Sequence, residues 1–330
     1  MVRLKRVGRE ELTIRRRRHG RVFGYIDEAG ELIRDVDIRE RARGLGIPPA
    51  WSEVRIAANP RAHIQACGTD AAGRLQYIYH PDWEARRLRR KQQQLTLLTA
   101  ALPRIRRRVR EDLDAEPGSK ALALAIGVAL IDRTAMRVGR ERYLDAHGTR
   151  GAGTLYSRDV TVKGEEIRVV FPAKSGKKAS YSFADARLAR AIEAVKTIPG
   201  KRLLMYRNGE TRALRTEDLN RYLREIAGTP VTAKDFRTLH GSALAGEALA
   251  KLEPGESATA RKRQMAAVTK QVAAFLQNTP AISRASYVTP CLYALFDKGR
   301  LAALWAAGGE GANGIRQREV RLAAVLEAAG

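Results

Sequence analysis

The apolar residues change their period once along this chain, near residue 83, and that change sets the architecture. Before it, short apolar stretches such as RVFGYIDEAGELI, EVRIA, HIQACGTD and RLQYIYH are broken by glycine, Asn-Pro and aspartate-rich turns. That is the pattern of a small β-rich domain with short strands. The double proline of GIPPAW closes one unit, and His80-Pro81-Asp82-Trp83 closes the next, so a domain boundary is expected at 83/84. From Glu84 the spacing is helical. KALALAIGVALIDRTAMRVGRERYL is apolar nearly all round, as a buried helix is. LYSRDVTVKGEEIRVVFPAKSGKKASYSF then alternates and turns at KGEE and KSGKK, which predicts three antiparallel strands. Helices resume with DARLARAIEAV, TEDLNRYLREI, AKDFRTLHGSALAGEAL and ATARKRQMAAVTKQVAAFLQN, with Thr216 and Thr232 as N-caps and a stop at Asn278-Thr279-Pro280. The expected class is α+β, a β-rich domain over 1–83 and a mainly α-helical domain with a small antiparallel sheet over 84–330.

Charge narrows the partner. Lysine and arginine number 61 against 36 acidic residues, a formal net charge of +25, while 44% of the chain is hydrophobic. A disordered basic tail would lack that core-forming content. A folded chain that carries this excess is built for an anionic partner, and duplex nucleic acid, with its dense line of phosphates, is the leading one. Ten basic residues and no acidic one fall between Arg86 and Arg110, with leucines at helical spacing. They form either a solvated helix face or a surface that tracks phosphates. Two cysteines cannot make a disulfide framework or a four-thiolate zinc site, and they suit a reducing compartment. The apolar run 121–131 is far short of a bilayer span and the charged first twenty residues hold no secretory signal. A cytoplasmic, nucleoid-associated protein with no membrane partner is expected.

The chemistry is bounded first by what is missing. His19, His63, His80, His147 and His240 show no metal-ligand spacing, and there is no G-x-x-x-x-G-K-[ST] loop, no G-x-G-x-x-G after a strand and no two-metal carboxylate cluster. Chemistry on DNA would then proceed with no cofactor, no metal and no nucleotide, using a side chain as nucleophile. A phosphodiester under attack gathers negative charge on its non-bridging oxygens, which arginine forks are suited to hold. A tyrosine hydroxyl can attack if cations lie near it. A lysine in a cationic site can protonate the departing 5′ oxygen.

RTAMRVGRERYL at 133–144, TAKDFRT at 232–238 and ISRASY at 282–287 resemble the active-site motifs of type IB DNA topoisomerases of the small bacterial and poxvirus kind. FPAKSGKKASY resembles the loop that carries that family's lysine, and GYIDEAG, IPPAW and HIQACGTDAAGRLQYIYHPDW match its amino-terminal part. The likeness runs in family order over about residues 15 to 305. It implies Tyr287 as nucleophile forming a 3′-phosphotyrosyl link, Arg137 and Arg237 on the scissile phosphate, and Lys174 as general acid, with Lys177 and Lys178 in the same loop. Where many members have a phosphate-binding histidine, this chain has Asn278, whose amide can donate the same bond; a helix C-cap is its other reading.

Gln76, Tyr77 and Tyr79 match family positions that touch DNA, and strand alternation puts both tyrosines on one face, for DNA contact or for packing. Arg74, Arg140 and Tyr143 match DNA-facing positions less closely. His240 reads as a satisfied helix histidine. The resemblance implies an enzyme that nicks one strand, allows rotation and reseals, its two domains forming a C-shaped clamp, with nothing that requires more than a monomer. A tyrosine recombinase is the alternative, but that family shows H-x-x-R where this chain has Lys234, and a helical amino-terminal domain. A DNA-binding protein without chemistry would have lost one of Arg137, Lys174, Arg237 or Tyr287.

Overall fold

The computed structural model describes residues 3–20, 22–309 and 315–329, apart from the side chains of Ser175 and Ile315. The chain divides into two compact units, Met1–Arg90 and Lys91–Gly330.

In the first unit, β1 (Ile14–His19), β2 (Val22–Ile26), β3 (Ser52–Ile56), β4 (Ile64–Thr69) and β5 (Leu75–Tyr79) form an antiparallel sheet of order β2-β1-β3-β4-β5. The β-rich expectation holds, with one addition. Helix α1 (Val36–Gly44) lies between β2 and β3, its first turn capped by Asp35, which accepts from the Ile38 N–H at 3.0 Å. Ile14, Tyr25, Ala42, Val54, Ile56 and Ala66 form one core and Leu12, Ala57, Ala62, Ile64 and Cys67 another, so β4 is buried on both faces.

Helix α2 (Pro81–Asp112) runs from the end of the first unit into the second. Its apolar stripe, Leu95, Leu98, Leu102, Ile105 and Val109, recurs at three and four residues and is buried, while Arg104, Arg107 and Arg108 turn outward. Helix α3 (Lys120–Thr134) is buried on nearly every side, as its composition predicts. It does not continue to residue 144, however. Ala135 adopts a left-handed conformation, φ 52°, and its N–H closes onto Ile131 O. Residues 135–140 then form an irregular segment, and a separate helix α4 (Glu141–His147) follows. The break is held by tertiary contacts: the Ala152 and Gly153 N–H groups bond Arg137 O and Val138 O. Gly139, φ 79°, permits this approach, because a Cβ there would sit 3.0 Å from the Gly151 nitrogen.

Strands β6 (Val160–Lys163), β7 (Glu166–Pro172) and β8 (Lys178–Ala184) make the expected three-stranded antiparallel sheet. Helix α5 (Ala186–Lys196) follows, then a hairpin of β9 (Met205–Asn208) and β10 (Glu210–Ala213), which goes beyond the sequence reading although Asn208-Gly209 is a strong turn signal. In α6 (Thr216–Ala227) the N-cap is Arg215, not Thr216. Asp218 accepts the Arg215 N–H at 3.1 Å, and the Thr216 hydroxyl is drawn away to Gly139 O at 2.7 Å. Helices α7 (Ala233–Ala250), α8 (Ala258–Phe275), α9 (Pro280–Tyr287), α10 (Pro290–Asp297), α11 (Leu301–Ala307) and α12 (Ile315–Ala328) complete the unit. Thr232 is the N-cap of α7, and its N–H and hydroxyl both donate to Asp235 at 2.8 Å. The central helix is α7, with Phe236 to Ala243 buried without a break, and α8, α9, α11 and α12 pack against it. Among the described residues no helix is long and apolar enough to cross a membrane.

Candidate active site

Four of the five expected site residues meet around α7. Tyr287 is the last residue of α9, a helix capped by Thr279, which accepts from the Ile282 N–H at 3.3 Å, and started by Pro280. Its main chain is seated on α7: the Ser242 hydroxyl donates to Tyr287 O at 3.3 Å and accepts from the Thr289 N–H at 3.0 Å. Gly241 makes this seat possible, since a Cβ there would stand 2.7 Å from Tyr287 O.

Arg237 lies one turn before Gly241 and is 3% exposed, so it is not a surface arginine on an amphipathic helix. Its guanidinium donates through Nη1 to Ala135 O and through Nη2 to Leu276 O, the latter at 2.7 Å. These carbonyls lie at the C-terminal ends of α3 and α8, where a cation is favoured by unpaired C=O groups and by the helix dipole. The same guanidinium carbon sits 4.8 Å from the centre of the Tyr287 ring. Burial raises the Tyr287 pKa, but Arg237, Arg137 and Lys234 outweigh it, and the phenol is held below its ordinary value.

Arg137 stands in the irregular segment after α3. Its Nη2 donates to Asn278 Oδ1, which leaves the Asn278 amide nitrogen buried with no hydrogen-bond partner among the described residues. Burial, then the neighbouring Arg237, lowers the Arg137 pKa. Among the described residues neither guanidinium pairs with a carboxylate, and two guanidinium groups gathered in this way form a site for an anion. The asparagine's two readings separate into backbone and side chain. Helix α8 ends in a Schellman motif: Gln277 is the left-handed residue, φ 52°, its N–H bonds Ala274 O at 3.1 Å, and the Asn278 N–H bonds Ala273 O at 2.9 Å. The Asn278 side chain is then left to pair with Arg137.

The fifth residue, Lys174, stands apart. It opens a short 3₁₀ turn, Lys174–Gly176, between β7 and β8, where Lys174, Lys177 and Lys178 are all exposed. No hydrogen bond joins Lys174 to the other four among the described residues, and the geometry does not rank the three lysines. Tyr181 on β8 is a neighbour that the sequence reading passed over: burial raises its pKa, while Arg237 and Arg137 pull it back. An alternating strand beside the lysine loop was the signal available for it.

Of the candidate DNA contacts, Tyr77 and Tyr79 do share a face of β5, their rings stacked with centroids 6.0 Å apart and Tyr77 38% exposed. Arg74 and Gln76 are both held by Asp70, to which Arg74 Nε and Gln76 Nε2 donate at 2.9 Å. Hydrogen bonds from Arg74 lead the causes that bring the Asp70 pKa down to about 2. In the second unit Arg140 is exposed at the start of α4 and Tyr143 is 46% exposed, its hydroxyl accepting from Arg142 at 2.9 Å.

His240 is not a satisfied helix histidine. It is 4% exposed, with Nε2 3.9 Å from Asp132 Oδ1, Nδ1 3.9 Å from Glu319 Oε1, and, among the described residues, no hydrogen bond at Nε2. The three side chains approach closely enough to hold a metal ion, a grouping that sequence spacing does not show. Arg106 already bonds both carboxylates, Asp132 at 2.8 Å and Glu319 at 2.7 Å, so the cation between them is a guanidinium.

Residues 82–289 match the family model for the eukaryotic DNA topoisomerase I catalytic core, and residues 22–70 match that for the bacterial DNA topoisomerase IB N-terminal domain. The chain is 30% identical over 277 residues to the DNA topoisomerase 1B of Acanthamoeba polyphaga mimivirus, which covers 81% of this chain and 82% of that protein.

Proposed function

The chain belongs to the type IB DNA topoisomerase family, and we propose that it relaxes supercoiled duplex DNA through a transient single-strand break made by Tyr287. It is a type I DNA topoisomerase, an isomerase, and its substrate is DNA. The observation that carries the proposed mechanism is the convergence of Arg137, Arg237 and Asn278 on Tyr287 from segments far apart in the chain.

In this reading the Tyr287 oxygen attacks the scissile phosphorus, the bond to the 5′ oxygen breaks, and a 3′-phosphotyrosyl ester forms. The phenol proton leaves to water, which the neighbouring cations favour by lowering its pKa. Arg137 and Arg237 hold the non-bridging oxygens as their charge grows, and the unpartnered Asn278 amide donates a further hydrogen bond. Lys174 closes from its exposed turn and protonates the 5′ oxygen. Rotation of the free strand releases supercoils, and return of the 5′ hydroxyl restores the phosphodiester. The ester keeps the energy of the broken bond, so neither ATP nor a metal is required. Tyr77, Tyr79, Gln76, Arg74, Arg140 and Tyr143 would contact the duplex. One chain carries the whole set, so a monomer suffices, working on the nucleoid in the cytoplasm. Lys234 in place of the recombinase histidine supports the topoisomerase over the recombinase.

Negatively supercoiled plasmid incubated in EDTA without ATP tests this. The parent should yield a ladder of topoisomers and Tyr287→Phe none. Relaxation by Tyr287→Phe, or a parent that needs metal or ATP, would overturn the mechanism.

A further inference from the structure

Lys91 is the first residue of the second unit, within α2, and its ammonium meets the end of the helix that carries Tyr287. Nζ donates to Ala285 O at 3.4 Å and to Val288 O at 3.3 Å. These carbonyls bracket Tyr287, two residues before it and one after. They lie at the C-terminus of α9, where carbonyls lack partners within the helix and a positive charge meets the negative end of its dipole. Burial first, and Lys234 second, bring the Lys91 pKa down to about 8. Among the described residues Lys91 makes no ion pair. A charge is thus partly desolvated beside another cation, with two carbonyls in return among the described residues, a poor arrangement for stability alone.

We propose that Lys91 is a positioning residue for cleavage: its grip on the Ala285 and Val288 carbonyls fixes the end of α9 and, with it, the phenol of Tyr287 relative to Arg137 and Arg237. The proposal rests on the reading of Tyr287 as nucleophile. Ser242 of α7 holds the same stretch through Tyr287 O and the Thr289 N–H, so the nucleophile's main chain is held by two helices. Lys91 adds a hold from the helix that also bears the basic run 86–110, which ties the placement of the nucleophile to an element expected to track phosphates.

The test is single-turnover cleavage of a duplex oligonucleotide by the full chain, with Lys91→Met, Lys91→Arg and Tyr287→Phe in parallel. Lys91→Met should cleave about 30-fold slower, since a displacement of about 1 Å in a reacting group can cost about 100-fold. Its DNA affinity and melting temperature should fall far less than its cleavage rate, because the DNA is saturated with enzyme and the protein stays folded. Lys91→Arg, which keeps a cationic donor, should recover to within about threefold of the parent. A 5′-phosphorothiolate substrate, whose leaving group needs no proton, should leave the Lys91→Met deficit in place, because the defect is one of position and not of acid catalysis. Parent-like cleavage by Lys91→Met would overturn the proposal. So would a Lys91→Arg protein that folds but cleaves as slowly as Lys91→Met, or a deficit that only follows lost DNA affinity or lost folded protein. If Lys91→Met does not fold, Lys91→Arg decides alone. Covalent complex formed by Tyr287→Phe would instead sink the nucleophile reading, whatever Lys91 does.

Discussion

At the residue scale, Asn278 and Gly241 carry the sharpest consequences. Asn278 offers the site a neutral donor, with its oxygen committed to Arg137 and its amide nitrogen unpartnered. Asn278→His preserves a donor, whereas Asn278→Asp places a carboxylate where the phosphate must sit. Single-turnover cleavage should therefore be slower for Asn278→Asp by at least about tenfold relative to Asn278→His, and equal rates would remove Asn278 from the phosphate. Gly241→Ala pits two effects against each other. Alanine gains about 1 kcal/mol in helix propensity over glycine, but its Cβ would meet Tyr287 O at 2.7 Å and the Leu276 side chain at 3.1 Å. Collision wins, because backbone has to move, and the variant should both melt earlier and cleave about 10- to 100-fold slower. A higher melting temperature with full cleavage would show that the seat is not where Tyr287 is placed. The motif TLHGSA shows a glycine and a small hydroxyl at 241 and 242, but only packing against α9 reveals what they are for.

At the element scale, Arg237 works on the ends of two helices. It satisfies the terminal carbonyls of α3 and α8 while standing over the Tyr287 ring. The irregular segment with Arg137 and the turn with Asn278 begin at those two ends. Truncating Arg237 to alanine strands two carbonyls at roughly 1–3 kcal/mol each, so Arg237→Ala should lose about 2–5 kcal/mol of stability in denaturant unfolding. Among the described residues Arg137 makes one side-chain bond, and it sits beside a like charge, so Arg137→Ala should lose about 1 kcal/mol or less. Both should lose cleavage by about 10²–10³-fold. Equal stability losses would mean that Arg237 does not hold the helix ends. The β6–β8 sheet and α5 to α8 were legible from period and turn chemistry. The break at Ala135 was not, because the segment after it is held by hydrogen bonds from the residue 152 and 153 N–H groups to Arg137 O and Val138 O that no local propensity reports.

At the scale of the whole molecule, charge governs engagement with DNA. A net charge of +25 implies several phosphates neutralised at once, and each releases counterions. With about six such contacts, DNA affinity should fall by about 10³-fold or more between about 50 and 200 mM salt. A titration by fluorescence anisotropy checks this, and a flat response would mean that the basic surface is not the DNA-binding one. The helical unit also carries a largely buried polar cluster, Arg106, Asp132, His240 and Glu319, that joins α2, α3, α7 and α12. It fastens the C-terminal helix to the one that bears Arg237.

The sequence by itself determined the switch from strand to helix, the order of the motifs and the residue types that can hold a phosphate and attack it, because these are properties of neighbours within a few positions. Tertiary structure alone decided where helix α3 stops, that Arg237 is buried between two helix ends, that His240 is wedged between carboxylates and that Lys91 reaches the helix of Tyr287. Arg137 meets Asn278 across 141 residues, and Lys91 meets Val288 across 197. Contacts at that separation arise from packing around α7, and no local period records them.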